Sequence, residues 1–276
     1  MDITKLNTED KLKLLNEDIL NNQVIHIKNI YLKEKNNLYW VNPNYIYCQL
    51  NWPNTIDWDF GIKQDIIEEA LKLELNSCII DCGAHTGDGA IPIAHALKHY
   101  NRSDIIIYAI EPTYDKCEFI KYLAKINKLD NIHVLNYGLS NKVEIYHPYI
   151  PKINGFLNTG ALHWLNNDKL KTDFVINKCN KFSHKSMNFT TLDLLIQNKI
   201  INKNIGIIHL DAEGRESNII EGGFNIIQKD KPYLSIEYHN ADEKYRYNVF
   251  KDLNHNYIFH KRIDHNNTYK FNISNK

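Results

Sequence analysis

An acid that closes an apolar run, followed at once by glycines, is the most chemically explicit feature of this sequence. Residues 78–94 read CIIDCGAHTGDGAIPIA, so Asp81 is followed by Gly83, Ala84, His85, Thr86, Gly87 and Asp88. Glycine lets a backbone turn tightly and come close to a ligand with no Cβ in the way. Such a loop serves a dinucleotide or S-adenosylmethionine, and the spacing separates the two. The dinucleotide pattern is G-x-G-x-x-G, with the pyrophosphate at a helix N-terminus. Here D-C-G-A-H-T-G-D has no Gly-x-Gly, and Asp81 and Asp88 flank the loop. Carboxylates repel a pyrophosphate and suit a ligand that carries an ammonium and a sulfonium.

Further along, Glu111 ends a second apolar run and precedes Pro112. An acid there accepts both hydroxyls of a ribose, a feature shared with dinucleotide folds. A third run ends in Asn136, Tyr137 and Gly138, which face the adenine on this reading or serve as ordinary loop packing. In HLDAEG, side chains alternate along a strand, so Ile207, His209 and Asp211 share a face. Glu213 joins them if the chain stays extended. In PYLSIEYH, Ser235, Glu237 and His239 share a face in the same way.

The elements that would position these groups follow from periodicity. Apolar runs at 77–83, 104–112, 131–140, 205–214 and 232–239 alternate with amphipathic stretches at 88–100, 114–129 and 216–230. Strands apolar throughout and separated by helices indicate a parallel sheet covered on both faces. In such a sheet, ligands sit beyond the carboxyl ends of the strands. A helix near 242–254 and a terminal antiparallel hairpin (256–263 with 268–274) close the chain. Residues 142–147 are expected as an extra strand, and 140–190 otherwise as a long functional loop. Before residue 76 the pattern differs: a helix at 8–20, short strands or a hairpin within 23–50, and an amphipathic helix at 62–75. The expectation is an N-terminal α+β appendage over 1–75 and a catalytic domain over 76–276.

Lys plus Arg and Asp plus Glu both number 33 in 276 residues, which argues against a general nucleic-acid or membrane-surface binder. The lysines of 169–185 read as a solvated loop. The five cysteines (Cys48, Cys78, Cys82, Cys117, Cys179) contain no CxxC pair, so neither a zinc site nor a disulfide framework is expected. No secretory leader or bilayer-length apolar run is visible, and the expectation is a soluble, cytoplasmic protein.

The blocks IIDCGAHTGDGAIPIA, IYAIEPTYDKCEFIKYLAKINKLDNIHVLNYGLS and TTLDLLIQ…IGIIHLDAEGRESNIIEGG…KPYLSIEYH resemble, in order and spacing, the FkbM family of class I methyltransferases over about 75–240. The resemblance implies a Rossmann-like sheet and S-adenosylmethionine as donor. It also implies O-methylation of a hydroxyl, often on a sugar or polyketide-type small molecule. Asp81, Gly83, Gly87 and Glu111 match the family's cofactor positions, with Ala84, His85, Thr86, Asp88, Pro112, Tyr137 and Gly138 around them. The family commonly has Lys two residues before the Asp of its D-x-E-G block; His209 stands there.

In a class I sheet the strands ending at Asp211 and Glu237 are neighbours. Two histidines (His209, His239) and three acids (Asp211, Glu213, Glu237) are therefore expected to converge. The expected base is Glu213 or His239, with Asp211 holding substrate, base or metal. HLDAEGRES is also similar to the H-x-D-x-D strand end of metal-dependent sugar O-methyltransferases, which makes Asp211 and Glu237 candidate Mg²⁺ ligands. The competing structural reading is a network tying two strands together, with Arg215 as a member. Phe156, Trp164, Phe174 and Lys178 are candidates for a lid over a glycan or small polar acceptor. His147, His163 and His184 are expected to be solvated. The alternatives are an NAD(P)-dependent oxidoreductase on a similar sheet, a non-catalytic scaffold, and RNA or protein as acceptor. A homodimer stays among the partners considered.

Overall fold

The computed structural model describes residues 8–17, 21–32, 37–41, 59–149, 152–153, 156–157, 163–165, 186–237 and 256–272. The chain begins with α1 (Thr8–Asn16), the antiparallel pair β1 (Ile25–Lys28) and β2 (Asn37–Trp40), and α2 (Phe60–Ala70). Alternating strands and helices then build the main sheet. They are β3 (Ser77–Cys82), α3 (Ala90–His99), β4 (Ile106–Ile110), α4 (Tyr114–Ile126) and β5 (Ile132–Leu135). Short strands follow: β6 (Gly138–Leu139), β7 (Glu144–Tyr149), β8 (Lys152–Ile153), β9 (Phe156–Leu157), β10 (His163–Leu165) and β11 (Met187–Thr190). After α5 (Leu192–Gln197), the chain returns to the main sheet with β12 (Asn204–Leu210). It continues through α6 (Glu216–Gly222), α7 (Phe224–Asp230), β13 (Tyr233–Glu237) and the hairpin β14 (Tyr257–Ile263) and β15 (Asn266–Phe271).

The main sheet has the order β14-β15-β13-β12-β3-β4-β5, with the five strands from β13 to β5 parallel and the hairpin antiparallel. This is the Rossmann-like class I methyltransferase arrangement. Every residue of β3 is buried, because helices cover both of its faces. Ile79, Ile107, Ala109, Ile207 and Tyr233 pack with α2, α3 and α4. Ile80, Cys82, Tyr108, Ile110, Ile208, Leu210 and Ile236 pack with α5, α6 and α7. The chain runs outward from β3 to β5, then crosses back to place β12 on the other side of β3. The crevice of such a sheet opens where the order reverses, at the carboxyl ends of β3 and β12.

The N-terminal elements join the same core: Leu14, Leu15, Leu38, Trp40 and Val41 are buried with Phe119 and Leu123. Lys11 of α1 pairs with Asp115 of α4 at 3.3 Å, and Asn29 donates to the Pro92 carbonyl of α3 at 3.1 Å. The helix expected at 62–75 ends at Ala70, since Arg102 draws the Leu71 and Leu73 carbonyls to its guanidinium (3.1 and 3.0 Å). The hairpin at the other end of the sequence holds α2 in place. Asp264 accepts from the Ile62 amide (3.0 Å), Lys261 pairs with Asp65 (2.5 Å), and Lys270 pairs with Glu69 (3.0 Å). Tyr233 of β13 donates to Asp65 as well (2.5 Å).

Two elements expected to be continuous are split. The strand expected over 131–140 ends at Leu135, where Asn136 turns its side-chain amide onto the carbonyls of Glu111 and Pro112 (3.1 and 2.9 Å). Gly138 and Leu139 then pair with β11 in a second sheet, of order β10-β7-β11-β6. The helix expected over 216–230 breaks at Gly222–Gly223. A Cβ on Gly222 would lie 2.0 Å from the Ser140 carbonyl oxygen, so α6 reaches the second sheet through a residue without a side chain. The extra strand expected at 142–147 is β7, and the terminal hairpin is present. The expected helix at 242–254, His239, His184, Phe174 and Lys178 lie outside the described residues. Among the described residues, no helix is long and apolar enough to cross a membrane.

Candidate active site

The loop after β3 is shaped by its neighbours as much as by any ligand. Gly83 adopts φ +87°, and a Cβ on it would lie 1.7 Å from the Asp211 carbonyl oxygen. Its amide and that of Ala84 both donate to the Ile110 carbonyl (3.0 and 3.2 Å), while Asp211 donates to the Cys82 carbonyl (3.0 Å). The ends of β3, β4 and β12 are thereby tied together. Gly87 has φ +81° and packs on Ile91 and Ile120 of α3 and α4, and His85 between them is also left-handed at φ +49°. The tight turn that the glycines were expected to provide is present, and the room at Gly83 is filled by the neighbouring strand end.

Asp81 is 6% exposed and faces the α2 side of the sheet. Its Oδ1 lies 3.0 Å from Nδ1 of His209, its register partner on β12. Its buried Oδ2 finds no hydrogen-bond partner among the described residues, and neither does Nε2 of His209. Burial pulls the His209 pKa down, but the hydrogen bond and negative charge of Asp81 more than offset this, so it rises. Asp88, at the far end of the loop, receives Lys63 of α2 at 3.2 Å and lies 3.7 Å from Nδ1 of His85. Burial alone would raise the Asp88 carboxyl; the Lys63 charge and the His85 contact outweigh it and hold that carboxyl far below the usual range.

Glu111 is 4% exposed at the end of β4. Its two oxygens accept from the amides of His85 (3.1 Å) and Thr113 (2.9 Å), so it braces the glycine loop from below. Each oxygen keeps a second lone pair for a hydroxyl donor. Pro112 is buried beside it, and half-buried Tyr137 donates its amide to the Leu135 carbonyl (3.0 Å). The missing side chain of Gly138 makes room for the Phe189 ring, whose Cε1 would lie 2.3 Å from a Cβ there.

The acids converge as the strand pairing requires, with a changed geometry at Glu213. β12 ends at Leu210 and the chain stops being extended; Glu213 turns left-handed at φ +53° and is exposed. Buried Glu216 holds this bend by accepting from the amides of Ala212 (2.9 Å) and Gly214 (3.2 Å). Asp211 and Glu237, on neighbouring strand ends, are hydrogen-bonded to each other. Burial, then the charge of Glu237, pushes the Asp211 carboxyl well up. Glu237 is pushed up to about 7 by burial and by the charges of Glu213 and Glu216, against the hydrogen bond from Asp211. Asp211 therefore holds the proton and Glu237 accepts it. A group whose folded pKa is raised binds its proton in the folded chain and releases it in the unfolded one, so stability falls as pH rises between the two values. Urea unfolding should accordingly show Glu237→Gln stabilising the chain more at pH 8 than at pH 5, since the variant lacks the loss that occurs between about pH 4.5 and 7.

Arg215 lies over the rings of Tyr146 and Phe189 (4.5 and 5.1 Å to their centroids), which anchors the bend to the second sheet. Among the described residues, no group of three or more His, Cys, Asp or Glu side chains is placed to hold a metal ion, so the expectation of Mg²⁺ at Asp211 and Glu237 finds no third ligand there.

The family model described as the methyltransferase FkbM domain matches residues 81–267. The chain belongs to the FkbM methyltransferase family. The match opens at Asp81 and takes in the glycine loop, Glu111, the acid pair and most of the terminal hairpin, leaving α1, β1, β2 and α2 outside it. Among solved structures, an FkbM methyltransferase from Methylobacillus flagellatus aligns at 16% identity and a TM-score of 0.46, over 72% of this chain and 45% of its own. The chain thus spans less than half the length of that protein. A SAM-dependent methyltransferase from Aquifex aeolicus aligns at 11% identity and a TM-score of 0.44, over 84% of this chain and 98% of its own. A putative methyltransferase from Streptococcus mutans, solved in complex with SAH, aligns at 8% identity and a TM-score of 0.41, over 76% and 97%. No protein of curated function matches.

Sequence reasoning did not single out Lys63 or Glu216. Lys63 sits in an ordinary amphipathic pattern, and nothing local marks it as buried. Glu216 opens a helix two residues after Gly214, a placement that suits an acid accepting from loop amides.

Proposed function

We propose that this methyltransferase uses S-adenosylmethionine to methylate a hydroxyl of a sugar, glycan or similar small polar acceptor. The observation that carries the reading is the buried acidic cradle at the sheet's reversal point: Asp81 with one unpartnered oxygen, Asp88, and Glu111 beneath a glycine loop. These residues fit the cofactor. Asp81 offers an acceptor to its ammonium, and Glu111 offers lone pairs to the ribose hydroxyls. Bound there, S-adenosylmethionine supplies a methyl on a cationic sulfur, which leaves as neutral thioether sulfur.

The chain's own task is to align an acceptor oxygen with that methyl and remove the hydroxyl proton. Orientation supplies much of the rate in such displacements. Glu237 is the group best suited to take the proton, because its pKa of about 7 matches the operating range of a general base. Asp211, protonated, donates to Glu237 and holds it in place. Exposed Glu213, with the undescribed His239, stands as the alternative base or as a binder of acceptor hydroxyls.

Thermal shifts with S-adenosylmethionine, S-adenosylhomocysteine and NADH test the cofactor, and a shift with NADH alone would reject the reading. A panel of nucleotide sugars and oligosaccharides with labelled methyl donor tests the acceptor; labelling of RNA or protein in place of glycans would overturn it. Glu237→Gln should lower turnover by about 10²-fold or more while leaving cofactor affinity within about threefold. If Glu213→Gln takes the loss instead, the base is Glu213.

A further inference from the structure

Lys63 lies outside the family match and still reaches the glycine loop. It is 4% exposed, and burying an ammonium costs several kcal/mol unless negative groups compensate. Asp88 takes one of its three N–H donors at 3.2 Å, and no further hydrogen bond forms among the described residues. The lysine's Cε lies 3.8 Å from where a Cβ on Gly89 would be, and Asp81 Oδ2, the buried oxygen with no partner, lies 3.7 Å from the same point. A cation with spare donors and an anion with a spare acceptor thus flank one glycine, immediately before α3. A ligand group that carries complementary charges a few ångström apart would answer both: an ammonium and a carboxylate on one carbon. The same place has no side chain to block it.

We propose that Lys63 binds the α-carboxylate at the methionine end of S-adenosylmethionine while Asp81 takes the ammonium, so that a helix outside the family domain completes the cofactor pocket. This rests on the S-adenosylmethionine reading above. Asp88 is then the residue that aims Lys63, and the left-handed His85 beside it fixes Asp88.

The test compares S-adenosylmethionine with its decarboxylated form, which lacks the carboxylate and keeps the amine, by calorimetry on the full chain and on Lys63→Met. The expected result is a loss of about 10–100-fold for S-adenosylmethionine in the variant and a change of less than threefold for the decarboxylated form. Equal losses for both would show that Lys63 only braces the loop and would overturn the assignment. If the unaltered chain binds neither, the cofactor reading itself falls. If Lys63→Met does not fold, Lys63→Arg carries the test. Its displaced, broader cation should change the ratio of the two affinities at least threefold, and an unchanged ratio overturns the proposal.

Discussion

Gly83→Ala is expected to destabilise the chain severely at 25 °C. The added methyl would lie 1.7 Å from the Asp211 carbonyl oxygen, which is backbone and cannot rotate away, and φ +87° is itself strained for an L side chain. Relief requires prising β12 from β3 at the point where Asp211 bonds the Cys82 carbonyl. A cost of about 4 kcal/mol or more is reasonable against the roughly 5–15 kcal/mol that hold a domain together. Gly89→Ala is the control. Its φ is −89°, and its new methyl would meet Asp81 and Lys63 at 3.7 and 3.8 Å, ordinary contact distances. Urea unfolding should show that variant within about 1 kcal/mol of the parent, and equal effects at both glycines would refute the argument.

Glu111→Ala should cost cofactor affinity more than any other single change at the cradle. Hydrogen bonds to a charged partner contribute about 1.5–3 kcal/mol each, and a ribose offers two hydroxyls, so a loss of about 100-fold or more is expected. The same change strips the His85 and Thr113 amides of their acceptor and loosens the glycine loop. Calorimetry with S-adenosylhomocysteine reads the first effect and hydrogen exchange at His85 and Thr113 the second. Exchange that speeds up with affinity unchanged would reduce Glu111 to a brace.

The parallel sheet was legible because its strands are buried on both faces and so are apolar throughout; 77–82, 106–110 and 204–210 could be read from composition and length. The pairing of Asp211 with Glu237 followed from alternation along two adjacent strands. What escaped was decided by partners distant in sequence. Asn136 ends a strand by binding carbonyls 24 and 25 residues back, and Gly222 ends a helix by meeting Ser140. The bend that turns Glu213 outward is a local exception: it depends on Glu216, which accepts from amides two and four residues back and has no periodic signature. Lys63 is buried because Asp88 and a sheet face lie over it, whereas its own helix has the pattern of any surface helix.

The clasp on α2 has a consequence for how the chain matures. The bonds from Tyr233, Lys261, Lys270 and Asp264 to that helix join residues 168 to 202 positions apart. The helix leaves the ribosome well before the side chains that fasten it. Bringing such distant segments together is slow, because their entropy of approach must be met before any contact compensates it. Nascent chains halted before residue 257 should therefore carry a formed central sheet and an undocked α2. Ligand-competent protein should accumulate only after the closing hairpin is released, at a rate set by its docking.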